Sequence, residues 1–112
     1  GVHDRRLVAF SLEGTAELPP QPPPEIPEPI ESDFEVDAEQ VPAGALYYGL
    51  RCGVCHGPAA VSGGLAPDLR ASRVVSSLER FAGVVRDGER SDDGMPMYAD
   101  ITYDELVALQ HY

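Results

Sequence analysis

The sequence predicts a small all-α domain of three to four helices, preceded by a stray β-strand and a proline-rich linker. Apolar residues recur at helical intervals after residue 41, prolines and acidic residues crowd residues 19–40, and a short apolar run precedes them. We therefore divide the chain into a strand segment (1–18), a linker (19–40) and a helical domain (41–112).

Composition excludes several classes of function. The net charge is -11 and every basic residue other than histidine is arginine, so a nucleic-acid partner is not expected. No apolar run approaches the roughly 20 residues of a membrane span. There is no initiating Met and no basic-then-apolar signal region. From its two ends, we expect the chain to be a piece of a larger protein.

The predicted strand lies in the run LVAFSLEG, residues 7–14, where the final Glu-Gly provides a turn. One strand cannot bury both of its faces alone. We therefore interpret residues 1–18 as the last strand of a domain that this chain does not contain, with a frayed tail as the alternative.

The predicted linker holds seven of the eleven prolines and seven acidic residues, with no basic residue. Proline fixes an extended backbone and like charges repel, so the segment should be semi-rigid and extended. Ile26, Ile30 and Phe34 are candidates to pin it to a neighbouring surface. A disordered tail is the alternative.

Two helices are predicted around residues 41–52 and 73–88. The first carries Leu46, Tyr47 and Leu50 at helical offsets. The second has one apolar stripe at intervals of four, three and four residues. Its members are Val74, Leu78, Phe81 and Val85. Gly88 stands where a left-handed C-terminal cap would end this helix.

The last helix is predicted from its start signal. Thr102 followed by Glu105 forms a capping box, and Ile101 and Leu106 match a hydrophobic staple. Some seventy residues of this kind bury little apolar surface, so a bound group should help to fill the centre of the domain.

The motif Cys52-x-x-Cys55-His56 is the attachment signature of haem c. Its two thiols add across the haem vinyl groups, and the adjacent histidine can then bind the iron. A thioredoxin-type dithiol needs a βαβ context, which is not predicted here. A zinc site needs further ligands at suitable spacing, and a disulfide across this short loop would stabilise little. Haem is therefore the favoured interpretation.

The sixth iron ligand is predicted within DGMPMYAD, which holds both methionines of the chain. A thioether is a soft ligand that raises the reduction potential. Gly94 lets the chain approach the ring, and Pro96 restricts Met95 to an extended conformation. We favour Met95 over Met97, which we expect to pack at the haem edge or under Tyr98.

The stretch from Gly44 to Tyr112 resembles a class I cytochrome c. Gly44 and Tyr48 match the family's first helix, and Leu109 and Tyr112 match its last. The APDL stretch is similar to the family's loop whose proline carbonyl accepts the proximal histidine N–H. By this resemblance, Pro67 accepts from His56, and the Gly-Met-Pro loop carries the methionine ligand. The resemblance thus implies a cytochrome c fold of three to four helices around one haem c.

The order of strand, proline-rich linker and cytochrome c resembles the C-terminal layout of quinohaemoprotein alcohol dehydrogenases, and PDLR followed by Ser72 looks like them too. The resemblance implies a parent propeller domain that holds pyrroloquinoline quinone (PQQ) and calcium. Nothing in this chain matches the quinone pocket, so the chain alone should not oxidise alcohol. Arg70 is a candidate partner of a haem propionate, with a solvated surface arginine as the alternative. Asp92, Asp93 and Asp100 are interpreted as solvated loop charges, with a metal site as the alternative.

Three functions follow as hypotheses. The leading one is a single-haem domain that accepts electrons from the reduced quinone of a PQQ-dependent alcohol dehydrogenase. It would pass them to an external acceptor: a small copper protein, a cytochrome or a quinone. The alternatives are a free-standing soluble cytochrome c, and a haem enzyme or gas sensor with an open iron position. A periplasmic location is expected from the resemblance, since haem is attached there.

Overall fold

A computed structural model describes residues 7–20, 23 and 26–112. Over these residues the fold contains four α-helices: α1 (Val41–Arg51), α2 (Gly53–His56), α3 (Leu78–Val85) and α4 (Tyr103–His111). Short 3-10 turns at Pro58–Ala60, Leu69–Ala71 and Val74–Ser76 connect α2 to α3. The prediction of an all-α domain is confirmed. No helix within the described ranges is long and apolar enough to cross a membrane.

The predicted stray strand is wrong. Residues 7–20 form no strand, and Leu7, Phe10 and Leu12 are exposed. A strand needs a neighbour to receive its backbone hydrogen bonds, and no part of the described chain offers one at this segment. Residues 1–6 of the predicted strand segment, which include His3, lie outside the described residues.

Helices α1 and α4 cross in close contact at Gly44. A Cβ atom at Gly44 would lie 2.1 Å from the carbonyl oxygen of Ala108 and 2.8 Å from the Cβ of Tyr112. Only glycine lets the two backbones approach this far. The crossing also brings the rings of Tyr48 and Tyr112 to 4.9 Å between centroids.

Helix α3 is shorter than the predicted second helix. Ser77 is its N-cap, with an extended backbone and a side-chain oxygen that accepts from the amide of Arg80. Val74 therefore belongs to a separate 3-10 turn. Helix α4 begins as predicted: Thr102 accepts from the Glu105 amide, and the Glu105 carboxylate accepts from the Thr102 amide.

The core lies where α1, α3 and α4 meet. Its largest fully buried side chain is Leu106, and Ile101 packs in the same cluster in agreement with the predicted staple. Several apolar side chains around this core are only half-buried. They are Tyr47, Cys52, Ala60, Leu69, Leu78, Phe81, Met95 and Tyr98.

The linker lies against the domain that it precedes. The amide of Ile30 donates to the carbonyl of Arg70 (2.8 Å), and the amide of Asp37 donates to Nδ1 of His111 (3.0 Å). The ring of Phe34 lies 5.0 Å from that of His111. Ile30 and Phe34 are half-buried here, whereas Ile26 is 62% exposed. We call residues 30–37 the strap.

Candidate haem site

The candidate attachment motif occupies a sharp bend between α1 and α2. Helix α1 ends at Arg51, and the four-residue helix α2 carries Cys55 and His56. The amides of Cys55 and His56 both donate to the carbonyl of Cys52, at 3.1 and 3.0 Å. The two thiols are free and half-buried, and burial raises the pKa of the Cys52 thiol. The helical turn therefore presents two thiols and the histidine from one short segment.

His56 is held by a single backbone acceptor. Its ring is buried, and Nδ1 lies 2.9 Å from the carbonyl oxygen of Pro67. Since a carbonyl can only accept, Nδ1 carries the hydrogen. Nε2 then keeps its lone pair for a metal, which is the usual arrangement of a metal-binding histidine.

The residue after Pro67, Asp68, is itself held by several hydrogen bonds. The Asp68 side chain is almost completely buried and accepts from the amides of Ser62 (3.1 Å) and Arg70 (3.1 Å). Arg70 pairs with it twice, Nε to Oδ1 at 3.0 Å and Nη2 to Oδ2 at 2.9 Å. The Arg70 guanidinium holds the pKa of this carboxyl at about 2. Arg70 thus braces the loop that orients His56.

Two residues of this site were not predicted from the sequence. One is Asp68, the N-cap of the turn Leu69–Ala71. Aspartate is a preferred N-cap residue, and this preference was the available sequence signal. The other is Gly57, which ends α2 with a φ of 81°. Its carbonyl accepts from the hydroxyl of the buried Tyr48 at 2.6 Å, and burial raises the pKa of that phenol. A glycine directly after the histidine was the available signal.

The two methionines occupy different environments. Met95 is half-buried and packs against the core, and its amide donates to the carbonyl of Arg90 at 3.1 Å. Met97 is 56% exposed, and its side chain lies over Gly88. Burial thus distinguishes Met95 from Met97 as the methionine with an apolar environment.

The loop of residues 90–100 carries both methionines, and we call it the methionine loop. It is joined to the end of α1 by side-chain contacts. The hydroxyl of Tyr98 donates to the carbonyl of Arg51 at 2.8 Å. Both terminal nitrogens of Arg51 donate to the carboxylate of Asp100, each at 3.0 Å. Asp100 is an exposed loop charge, as predicted, and it also pairs with Arg51. Asp93 pairs with Arg90, while Asp92 is exposed.

The donor set fits a covalently attached haem. Cys52 and Cys55 supply two free thiols one turn apart, His56 keeps Nε2 for iron, and Met95 supplies a half-buried thioether. The half-buried apolar side chains around the core can pack against a flat apolar ring. A zinc site needs a larger group of Cys, His or acidic ligands, and the described part of the chain brings no three such residues together.

Comparison with known proteins gives relatives along most of the chain, although no protein-family model matches it. The quinohaemoprotein alcohol dehydrogenase ADH IIB of Pseudomonas putida is 43% identical over 103 residues, which is 91% of this chain and 15% of that protein. ADH-IIG of the same species is 38% identical over 95% of this chain and 14% of that protein. The dehydrogenase subunit of the quinone alcohol dehydrogenase of Gluconobacter oxydans is 34% identical over 99% of this chain and 15% of that protein.

A solved structure is also similar to most of this chain. The quinohaemoprotein alcohol dehydrogenase ADHIIG of Pseudomonas putida HK5 aligns with a TM-score of 0.63 and 39% identity. The alignment covers 90% of this chain and 14% of that one. The chain therefore spans about a seventh of the length of these relatives.

Proposed function

We propose that this chain, which is similar over most of its length to about a seventh of the quinohaemoprotein alcohol dehydrogenases, is the cytochrome c domain of such an enzyme and a single-haem electron-transfer domain. It accepts electrons from the reduced PQQ of its parent dehydrogenase and passes them to an external acceptor. Cys52 and Cys55 would attach the haem, and His56 and Met95 would hold its iron. Alcohol oxidation belongs to the parent domain, with its PQQ and calcium.

The observation that carries this proposal is the hydrogen bond between His56 and Pro67. A buried histidine whose Nδ1–H is engaged presents Nε2 as a neutral ligand in a defined direction. The next residue, Asp68, is braced by Arg70. This two-layer support is expected around a metal ligand, whereas an ordinary core histidine needs only the first hydrogen bond.

The haem and the residues predicted to contact it have different roles. The haem supplies a one-electron couple between ferric and ferrous iron. If His56 and Met95 both held the iron, they would leave no position for a substrate or a gas. The thioether of Met95 would favour ferrous iron and so raise the potential. Pairing of Arg70 with a haem propionate stays a prediction, and Asp68 is its partner in the present structure.

Location and partners follow as further parts of the proposal. We expect attachment of the haem, and hence the mature domain, in the periplasm. The net charge of -11 suits an acceptor that is basic or apolar where it contacts this domain. A small copper protein, a cytochrome and a quinone all remain candidates for that acceptor.

The experiment has two stages. The chain is first produced by periplasmic export with haem attachment and then denatured, and haem should remain on the polypeptide. Cys52→Ala combined with Cys55→Ala should abolish this, while Val54→Ala, an exposed residue inside the same motif, should not. Haem that extracts from the denatured wild-type chain would refute thioether attachment.

The second stage tests the electron donor. In the parent polypeptide, added alcohol should reduce the haem of the Val54→Ala control and leave the double cysteine variant without a haem signal. A native polypeptide no longer than this chain would favour the alternative, a free-standing soluble periplasmic cytochrome c. Carbon monoxide binding to the reduced wild-type chain would favour the haem enzyme or gas sensor instead.

A further inference from the structure

Three contacts join the methionine loop to the last residue of α1. The hydroxyl of Tyr98 donates to the carbonyl of Arg51, and the Arg51 guanidinium forms a bidentate pair with Asp100. The same guanidinium lies over the Tyr98 ring, with Cζ 5.6 Å from the centroid. We call Arg51, Tyr98 and Asp100 the clasp.

The position of the clasp relates it to both parts of the candidate site. Arg51 directly precedes Cys52, the first predicted attachment residue, and Tyr98 follows Met95 by three residues. The amide of Tyr98 also donates to the carbonyl of Val85 at 2.9 Å, at the end of α3. The loop is thus held from α3 by its backbone and from α1 by the clasp.

Solvent weakens the contacts of the clasp to different degrees. Tyr98 is half-buried, and burial raises the pKa of its phenol, so the hydroxyl remains a neutral donor. Its acceptor lies in the last turn of α1, where carbonyls lack intrahelical partners. The Asp100 side chain is 73% exposed, so water and salt screen its attraction to Arg51. Tyr98 should therefore contribute more than the ion pair.

We propose that the clasp determines how firmly the methionine loop holds its ligand against the iron. Arg51, Tyr98 and Asp100 are positioning residues, and this inference rests on the proposed function. Weakening the clasp lets the loop lift and exposes the iron to external ligands. The attachment at Cys52 and Cys55 should persist, because none of the clasp contacts involves a cysteine side chain.

Imidazole titration of the ferric, haem-loaded chain measures this directly, since imidazole must displace the methionine. Tyr98→Phe should raise the apparent imidazole affinity roughly ten-fold, because a buried hydrogen bond is lost and its acceptor is left unpaired. Asp100→Asn and Arg51→Gln should each raise it roughly two- to five-fold. The double variant should do no more than Arg51→Gln alone, because Asp100→Asn removes only a pair that Arg51→Gln has already removed.

Two controls match these changes. Asp87→Asn removes one charge from an exposed pair with Arg86 at the end of α3. Tyr103→Phe removes one hydroxyl from an exposed tyrosine of α4. Neither should change imidazole affinity. The thioether absorption band of the ferric protein should weaken in the clasp variants alone, whereas a purely structural role would lower only the thermal midpoint.

The outcomes separate the two levels of inference. If wild type shows covalent haem and the thioether band but the clasp variants bind imidazole like the controls, the clasp proposal is overturned and the proposed function stands. If wild type shows no covalent haem or no thioether band, the proposed function fails and the clasp proposal fails with it. If Tyr98→Phe does not fold, Asp100→Asn and Arg51→Gln still decide the matter.

Discussion

The imidazole Nδ1 of His56 lies 2.9 Å from the carbonyl oxygen of Pro67, and this contact joins the end of α2 to the loop before the turn Leu69–Ala71. A backbone carbonyl cannot be removed by mutation, so the next residue, Asp68, is the accessible point of test. Its carboxylate accepts from four backbone and side-chain donors of Ser62 and Arg70.

The first prediction concerns acid stability. The carboxyl of Asp68 has an ordinary pKa of 3.8, and Arg70 lowers it to about 2 in the folded chain. A carboxyl with a lowered pKa stabilises the fold above its ordinary pKa, and this contribution is lost as the pH falls from about 3.8 toward about 2. Asp68→Asn should therefore flatten the dependence of the free energy of unfolding on pH in this window. Denaturant titrations at several pH values measure it.

The matched control is Asp92→Asn, which neutralises an exposed acid of the methionine loop. Its pH dependence should follow that of wild type. A wild-type slope in Asp68→Asn would show that this carboxylate does not stabilise the loop.

The second prediction decides between the methionines. Met95→Ala should remove the weak long-wavelength absorption of ferric iron with a thioether ligand, lower the reduction potential and open the iron to carbon monoxide. Met97→Ala should leave all three properties unchanged and cost little stability, because Met97 is 56% exposed. Spectroscopy and redox titration of the two variants are the measurements. Loss of the band in Met97→Ala alone would reverse the assignment.

The third prediction uses two glycines of the same helix. Gly44→Ala should destabilise the fold by roughly 3 kcal/mol, because the new methyl group overlaps the backbone of α4 and forces the helices apart. No atom lies within 4 Å of a Cβ at Gly49, so Gly49→Ala should instead stabilise α1 by about 0.5–1 kcal/mol. Chemical denaturation of the haem-loaded chain measures both. Equal effects of the two substitutions would contradict the close crossing.

The fourth prediction concerns the strap. His111→Ala removes the acceptor of the Asp37 amide and the ring that contacts Phe34, so residues 34–37 of the strap should leave the domain while Ile30 stays bonded to Arg70. A glutamate-specific protease should then cut at Glu35 several-fold faster, with the thermal midpoint little changed. Tyr103→Ala, an exposed change on the same helix, is the control. Equal cleavage in both variants would mean that His111 does not hold the strap.

Local signals in the sequence were sufficient for several elements. The capping box of α4 involves residues three apart, so the choice of Thr102 and Glu105 alone defines that helix start. The Cys52, Cys55 and His56 spacing likewise needs only one helical turn to bring the three side chains together. The resemblance to class I cytochromes c implied the place of Gly44 in the first helix, and the missing side chain permits the close crossing with α4.

Other features depend on contacts between distant parts of the chain. The strand predicted from residues 7–14 found no neighbouring strand, and an alternating pattern cannot supply one. From the sequence, Ser77 could either cap α3 or lie inside a longer helix that begins at Val74. In the folded chain its backbone is extended, so it caps α3.

The sequence by itself determined the helical class of the domain, the start of α4 and the group of residues that could hold a haem, because each depends on near neighbours along the chain. Only the tertiary structure decided that Asp68 braces the support of His56, that the strap lies on His111, and that Arg51 meets Asp100. Those contacts join residues up to 74 positions apart. They form because α1 and α4 cross at Gly44 and draw the loops between them onto one core, a geometry that no local pattern specifies.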